Sequence, residues 1–354
     1  MFKKISVYNF KVLKALENVP LNKITLIGGK NNTGKTTLLE ALYLLIDRKN
    51  STVLQKFFIL REFLGGFPLS ESFWLPYFYH FDYANHIMIE TLDDCGRNEK
   101  LNIAYQEDYT PKMPLPINNN GYLSPMGGDM NCQELSFTHT INEQIDYIAH
   151  SLIHNNGVYY TIEKDSADKV PPVFFAVSRK AHDPENVQRL GKLDKNDDQE
   201  KILELMRMFE PKLQRFQTIK EGQNDVIYAD FGKKYKIPIY ELGDGFCRCF
   251  TIALSLVADN TDLLLIDEVG SGIHHSFQKA FWQFLIKASN TCNCQIIATT
   301  HSYETIEAFS EVCNEQEIND SSYIRLAKNN DDITAYHFDS QDLLFALSSE
   351  LEVR

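Results

Sequence analysis

Apolar positions in this chain fall into short runs bounded by polar and glycine-rich punctuation, and the runs alternate in period. Ile24-Thr-Leu-Ile27 is β-branched and apolar, which predicts a strand. Leu38–Ile46 is apolar without Gly or Pro, which predicts a helix. Met1–Val7 reads as an edge strand. The same character returns from Pro171. Val173–Val177 predicts a buried strand. Gln199–Phe209 carries apolar residues at 202, 203, 205, 206 and 209, one helical face closed by Pro211. Phe246–Ala258 is nearly all apolar and predicts a buried helix, Leu263–Ile266 a strand, and Phe277, Ala280, Phe281, Phe284, Leu285 and Ala288 repeat at helical spacing. Gln295–Thr300 predicts another strand. Ser322–Leu326 and Ile333–Phe338 form a terminal hairpin around Asn329–Asp332, and Asp339 or Ser340 caps a last helix.

Residues from about 50 to 170 have a different pattern. Aromatics cluster in Phe73-Trp-Leu-Pro-Tyr-Phe-Tyr-His80. Turn signals stand at Gly65-Gly66, Asp94-Cys-Gly96, Asn118–Gly121 and Gly127-Gly128. Between them His86–Thr91 and Leu101–Tyr105 alternate as antiparallel strands do, with a helix near Ile141–His154. Asp108–Cys132 is long and poor in apolar residues, a long loop. The aromatics suit the core of a small β subdomain; stacking on nucleic acid is the alternative. The pattern predicts one α/β domain over 1–354. Its nucleotide-binding core takes 1–48 and 171–354, and 50–170 forms an inserted α+β segment, an antiparallel β subdomain with helices.

Net charge narrows the partners. At −13 the chain is a poor non-specific binder of DNA. Lys3, Lys4, Lys11 and Lys14 make either a local basic patch or a solvated strand edge. No run of about 18 apolar residues exists, so no membrane span is expected, and no apolar stretch follows Lys3-Lys4 as in a secretory signal. The seven cysteines are scattered, with Cys247-x-Cys249 and Cys292-x-Cys294 spaced unlike common zinc sites. Structural thiols in a reducing cytoplasm follow.

The chemistry sits at strand ends. Gly29-Lys-Asn31-Asn32-Thr33-Gly34-Lys35-Thr36-Thr37 fits Gly-x-x-x-x-Gly-Lys-[Ser/Thr] between a predicted strand and a predicted helix. Gly29 and Gly34 permit backbone angles that aim successive N–H groups at phosphate, and the helix start adds its positive dipole end. Lys35 would reach the β- and γ-phosphates of ATP and Thr36 would place its hydroxyl on Mg2+; Thr37 contacts the α-phosphate or packs at the helix start. Leu263-Leu-Leu-Ile-Asp267-Glu268 is four apolar residues followed by two acids, a Walker-B pattern. Asp267 would hold Mg2+, and Glu268 would polarise the attacking water. His301, in Ala298-Thr-Thr-His-Ser302, ends the next strand. It is either structural or a hydrogen-bond donor to the γ-phosphate. Glu241-Leu-Gly243-Asp244-Gly245-Phe-Cys-Arg248 opens the buried helix as a second anion-ready turn.

The order of these motifs is that of ABC-type ATPases. Leu242–Phe246, Leu264–His275, Ala298–Glu304 and the closing Leu351-Glu-Val-Arg354 resemble the AAA15 branch of OLD-like ATPases. The resemblance covers 1–48 and about 171–354. It implies an ATPase whose Asp244 loop closes on the nucleotide of another subunit, in a homodimer or larger homo-oligomer. It also places Lys11, after Asn9-Phe10, near phosphate, where surface exposure is the other reading. Ser178 or Arg179 is the candidate Q-loop residue. Larger members of that group append a Toprim nuclease. Here only a hairpin and one helix are expected after His301, leaving no room for one. Stand-alone members, including those of PARIS-type defence pairs, imply a sensor or scaffold for a separate effector, a Toprim-type nuclease or a toxin, with any DNA contact indirect. A RecF/SMC-like ATPase that clamps duplex DNA is the alternative.

Overall fold

The computed structural model describes residues 1–49, 74–111, 115–117, 121–123, 132–154, 157–166, 168, 171–176, 184–196 and 198–354. The chain forms two compact units, both discontinuous in sequence. The first takes Met1–Leu21, Asn32–Val170 and Leu326–Ala335; the second takes Asn22–Asn31, Pro171–Arg325 and Tyr336–Arg354. The candidate Q-loop residues Ser178 and Arg179 lie outside the described residues.

The first unit is built on a seven-stranded antiparallel sheet. Its strands are β1 (Phe2–Phe10), β2 (Leu13–Pro20), β4 (Ile87–Asp93), β5 (Asn98–Tyr109), β8 (Cys132–Ile141), β9 (Gln144–His154) and β10 (Gly157–Lys164), in the order β10-β9-β8-β5-β4-β1-β2. Alternation sets the buried face, with Ile5 and Val7, Ile87 and Ile89, and Leu101 and Ile103 all turned inward. β1 is therefore an interior strand, paired with both β2 and β4, where the sequence suggested an edge. Residues 144–154 are a strand where a helix was expected. Asn142 and Glu143 both hold positive φ, 48° and 67°, and Ile141 pairs with Gln144. A two-residue turn of that kind folds the chain back into a hairpin and forces period two on Ile145–His154. The short ladder of β6 (Leu115–Ile117) with β7 (Gly121–Leu123) replaces part of the loop expected over Asp108–Cys132; much of the rest lies outside the described residues.

Helix α1 (Lys35–Ile46) packs on β1 and β4, and every residue in it except Thr36 is buried. Just past its end the buried Arg48 guanidinium lies 3.5 Å from Glu99 and 3.9 Å from Asp146. Fully buried His139 bridges the same two acids, at 3.1 Å from each. Burial alone would raise both carboxyls. The hydrogen bonds from His139 and the Arg48 charge outweigh it, and both sit below the ordinary carboxylate value. The stability they contribute is present above that ordinary value and is lost as pH falls through the lowered ones. Arg48→Met should destabilise the chain by about 3 kcal/mol or more, since it strands two buried acids. Urea unfolding at neutral pH checks this, and the deficit should shrink as both acids protonate.

The second unit holds a parallel sheet. Strands β3 (Ile24–Gly29), β11 (Val173–Ala176), β15 (Leu263–Ile266) and β16 (Gln295–Thr299) run parallel in the order β11-β15-β16-β3. β17 (Ser321–Asn329) and β18 (Asp332–Phe338) complete this sheet. The continuous apolar runs of β15 and β16 are fully buried, as parallel strands covered on both faces require. A separate ladder joins β12 (Arg215–Glu221), β13 (Asn224–Asp230) and β14 (Ile237–Pro238). The helices of this unit are α2 (Pro184–Asn196), α3 (Glu200–Met206), α4 (Asp244–Ala258), α5 (His275–Cys292), α6 (Tyr303–Glu315) and α7 (Ser340–Ser348). Asp339 caps α7, its carboxylate accepting from the N–H groups of Gln341 and Asp342. Helix α6 corrects the expectation of a hairpin and a single helix after His301. Ser302 caps it, and Thr305, Ile306, Phe309, Val312 and Cys313 form its buried stripe.

All seven cysteines are free. Cys247 and Cys249 are buried in α4 as expected, and burial, with Asp244 nearby, pushes the Cys247 thiol up to about 11. Among the described residues no helix is long and apolar enough to cross a membrane.

Candidate active site

The phosphate-loop sequence begins on β3 and ends in α1, so it is a strand–loop–helix as the motif requires. The chain passes from the second unit to the first between Asn31 and Asn32. On the second-unit side Gly29 holds φ 144°, and Lys30 and Asn31 are exposed. On the first-unit side Asn32 holds φ 62° and is exposed, Gly34 holds φ 86°, and Thr33, Lys35 and Thr37 are buried. Gly34 is obligatory for two reasons. Its φ is left-handed, and a Cβ there would stand 2.7 Å from Leu13 Cδ2. It is also the N-cap of α1, which has no side-chain cap and no acidic residue in its first turn. Such a helix start leaves its N–H groups to an anion. Lys11 hydrogen-bonds Glu40 of α1 at 2.5 Å, and its ammonium lies over the rings of Phe10 and Tyr77. It is thus engaged on the first unit's own groups rather than standing as a bare surface lysine.

In the second unit the two acids and the histidine meet. β15 and β16 are neighbouring parallel strands, so the residues leaving their carboxyl ends share one sheet edge. Thr299, the last residue of β16, organises them. Its hydroxyl donates to Asp267 Oδ1 at 2.6 Å and accepts from the Glu268 N–H at 2.9 Å. Its carbonyl accepts from Val269 N–H at 2.8 Å. Glu268 adopts φ 50°, a conformation a glutamate rarely holds. The surrounding bonds impose it, including those from the Arg248 guanidinium to the carbonyls of Ser271 (2.7 Å) and Glu268 (3.4 Å). The strained turn brings Glu268 Oε2 to 2.6 Å from His301 Nδ1. The imidazole is more than half exposed, and its Nε2 has no hydrogen bond among the described residues.

The carboxylate–imidazole contact is a pair that sequence reasoning placed only at a common edge. Thr299 and Arg248 were not anticipated at all. Each had a signal: a threonine pair inside a buried strand, and one arginine in an otherwise apolar helix. Asp244 opens α4 and is exposed, one turn before Arg248, and Gly243 before it holds φ 86° with open space around it. The structure does not bring Asp244 into the Thr299 network. Asp267 and Thr36 offer hard oxygen donors, the kind that suits Mg2+.

A phosphate loop on a parallel sheet, with an acid pair and a histidine leaving the neighbouring strands, defines a nucleoside-triphosphate-hydrolysing P-loop protein. The comparisons agree. The chain belongs to the AAA ATPase domain family, whose AAA15 profile matches residues 1–207, and its activity is ATP hydrolysis. A second profile, described as "AAA domain, putative AbiEii toxin, Type IV TA system", matches residues 136–307. The chain is similar to a protein of Helicobacter pylori named ATP/GTP phosphatase, at 25% identity over 98% of this chain and 100% of that one. Among solved structures it is similar to an SMC head bound to the C-winged helix domain of ScpA, at TM-score 0.49 and 11% identity over 96% of this chain and 98% of that one. It is also similar to the SMC head domain from Thermotoga maritima, at TM-score 0.47 and 11% identity over 95% and 98%.

Thr299→Val should lower the rate of ATP hydrolysis by about 10–100-fold, as losses of an orienting partner do. Thr299→Ser, which keeps the hydroxyl, should restore most of it. Steady-state phosphate release from the three proteins measures this.

Proposed function

We propose that the chain is an ABC-type ATPase of the AAA15/OLD-like class in which Lys35, Thr36, Asp267, Glu268 and His301 act on one ATP. The observation that carries this is the Glu268–His301 contact of 2.6 Å at the carboxyl ends of adjacent parallel strands. β3 lies on the other side of β16, and Lys35 follows its last residue closely in the chain. Ligands of open parallel sheets bind at such strand ends.

The mechanism follows from what each group can do. Backbone N–H groups of Gly29–Thr37, including Asn31, Asn32 and Thr33, cradle the phosphates. Lys35 offsets charge on the β- and γ-phosphate oxygens, which is where charge gathers as the terminal bond breaks. Glu268 accepts a hydrogen bond from the attacking water and takes its proton as the oxygen bonds to the γ-phosphorus and the bond to the ADP oxygen breaks. His301 holds Glu268 through Nδ1 and presents Nε2 to the γ-phosphate. Thr299 fixes both Asp267 and the backbone of Glu268. Thr36 and Asp267 would hold Mg2+, which when bound neutralises β- and γ-phosphate charge.

At the level of the cell the same reading makes this ATPase a cytoplasmic sensor or scaffold. ATP would hold a homodimer or larger ring together through the Gly243–Asp244 turn. The assembly would control a separate effector, a Toprim-type nuclease or a toxin, in an anti-phage defence system. The toxin–antitoxin description of the second matching family supports a two-part arrangement.

Glu268→Gln should keep ATP binding and lose turnover by about 100-fold or more. Single-turnover hydrolysis alongside equilibrium ATP binding checks this. A wild-type rate as low as that of Glu268→Gln, with tight binding in both, would contradict the hydrolytic role.

A further inference from the structure

Within the first unit, the turn between β1 and β2 faces two ways. On one side Leu13 and Val12 close on Gly34 of the phosphate loop; Val12 Cγ2 would lie 3.3 Å from a Cβ there. On the other side Lys11 and Val12 line a cavity of about 420 Å³. Pro76–Phe81 and, from the β17–β18 hairpin, Lys328 and Asp331 complete it. That volume suits a small-molecule site.

The walls are aromatic and held in place. Lys11 N–H donates to the Tyr77 carbonyl at 2.9 Å, and Phe10 pairs with Phe78 across an isolated bridge. The Tyr79 and His80 rings stack at 4.0 Å with 13° between planes. His80 and Phe81 both hold positive φ, 51° and 60°, which aromatic side chains do not choose for themselves. Phe81 is nevertheless 65% exposed. Flat rings around an open cleft suit a flat, apolar-faced ligand.

The rim adds polar selection. Lys11 is already engaged with Glu40 and belongs to the wall. Lys328 and Asp331 are exposed, and neither side chain has an ion-pair or hydrogen-bond partner among the described residues. One cationic donor and one anionic acceptor on the same cleft fit the polar edge of a purine. Guanine offers O6 to the lysine and two neighbouring donors, N1–H and N2–H, to the two oxygens of the carboxylate. Adenine offers a single donor at N6 and a single acceptor at N1. We infer that this cleft is the base subsite of the nucleotide, that Asp331 and Lys328 read the base edge, and that GTP is a substrate at least as good as ATP. This inference rests on the NTPase reading of the phosphate loop, because Val12 joins the cleft to Gly34.

The test is hydrolysis of ATP and GTP by the full chain, read as the ratio of kcat/KM values. Wild type should give a ratio of GTP to ATP of one or more. Asp331→Asn, which leaves one neutral acceptor, should lower the GTP value by about tenfold with the ATP value little changed. Asp332→Asn, beside it in the same exposed turn, should leave the ratio as in wild type. A wild-type preference for ATP beyond about tenfold, or an Asp331→Asn ratio equal to wild type, overturns the subsite while leaving ATP hydrolysis standing. A chain that binds neither nucleotide overturns the NTPase reading and the subsite together.

Discussion

Two carboxylates in succession at the end of a buried strand repel each other, and a backbone running straight on would send them to opposite sides. The Thr299 hydroxyl resolves both problems at once. It donates to Asp267 and accepts from the backbone of Glu268, so the neighbouring strand dictates where each acid goes. The left-handed turn at Glu268, the reach of its side chain to His301 and the Arg248 bonds to the following carbonyls all depend on that anchor. A rigid parallel pair, β15 and β16, thus transmits its register directly to the catalytic geometry. The strain at Glu268 is held by the surrounding hydrogen bonds, which keep the carboxylate preorganised before any ligand arrives.

Glycine has a comparable role on the strand beside them. Gly28 lies in β3, where a Cβ would overlap the Tyr323 hydroxyl of β17. That hydroxyl in turn donates to the Val353 carbonyl. The strand that leads into the phosphate loop is therefore seated against a buried tyrosine, which the end of the chain holds in place. Gly34 has the matching position in the first unit, pressed on Leu13. The two glycines are needed for close approach as well as for backbone freedom.

Much of this was legible in the sequence wherever the chain is buried on both sides. The runs at Leu263–Ile266 and Gln295–Thr299, and the apolar helix after Asp244, could be placed within a residue or two, because burial on both faces leaves period and length as the deciding signals. The reading failed where pairing is non-local or a turn is unusual. Ile145–His154 looks helical by composition, and only the Asn142-Glu143 turn makes it a strand. β1 looked like an edge because nothing in its own residues announces that β4, some eighty positions later, will pair with it. At the site, residue types and strand ends identified Lys35, Asp267, Glu268 and His301. Thr299 and Arg248 escaped because their roles lie in hydrogen bonds across elements, which spacing along one element does not encode.

The measurement that bears most directly on this account is a structure of the Glu268→Gln protein with ATP bound. The account predicts Lys35 and His301 Nε2 within hydrogen-bond distance of γ-phosphate oxygens, with the residue-268 amide facing a water in line with the γ-phosphorus and Thr299 still bonded to Asp267. A triphosphate seated in the loop with His301 or residue 268 turned away from its terminal phosphate would contradict it.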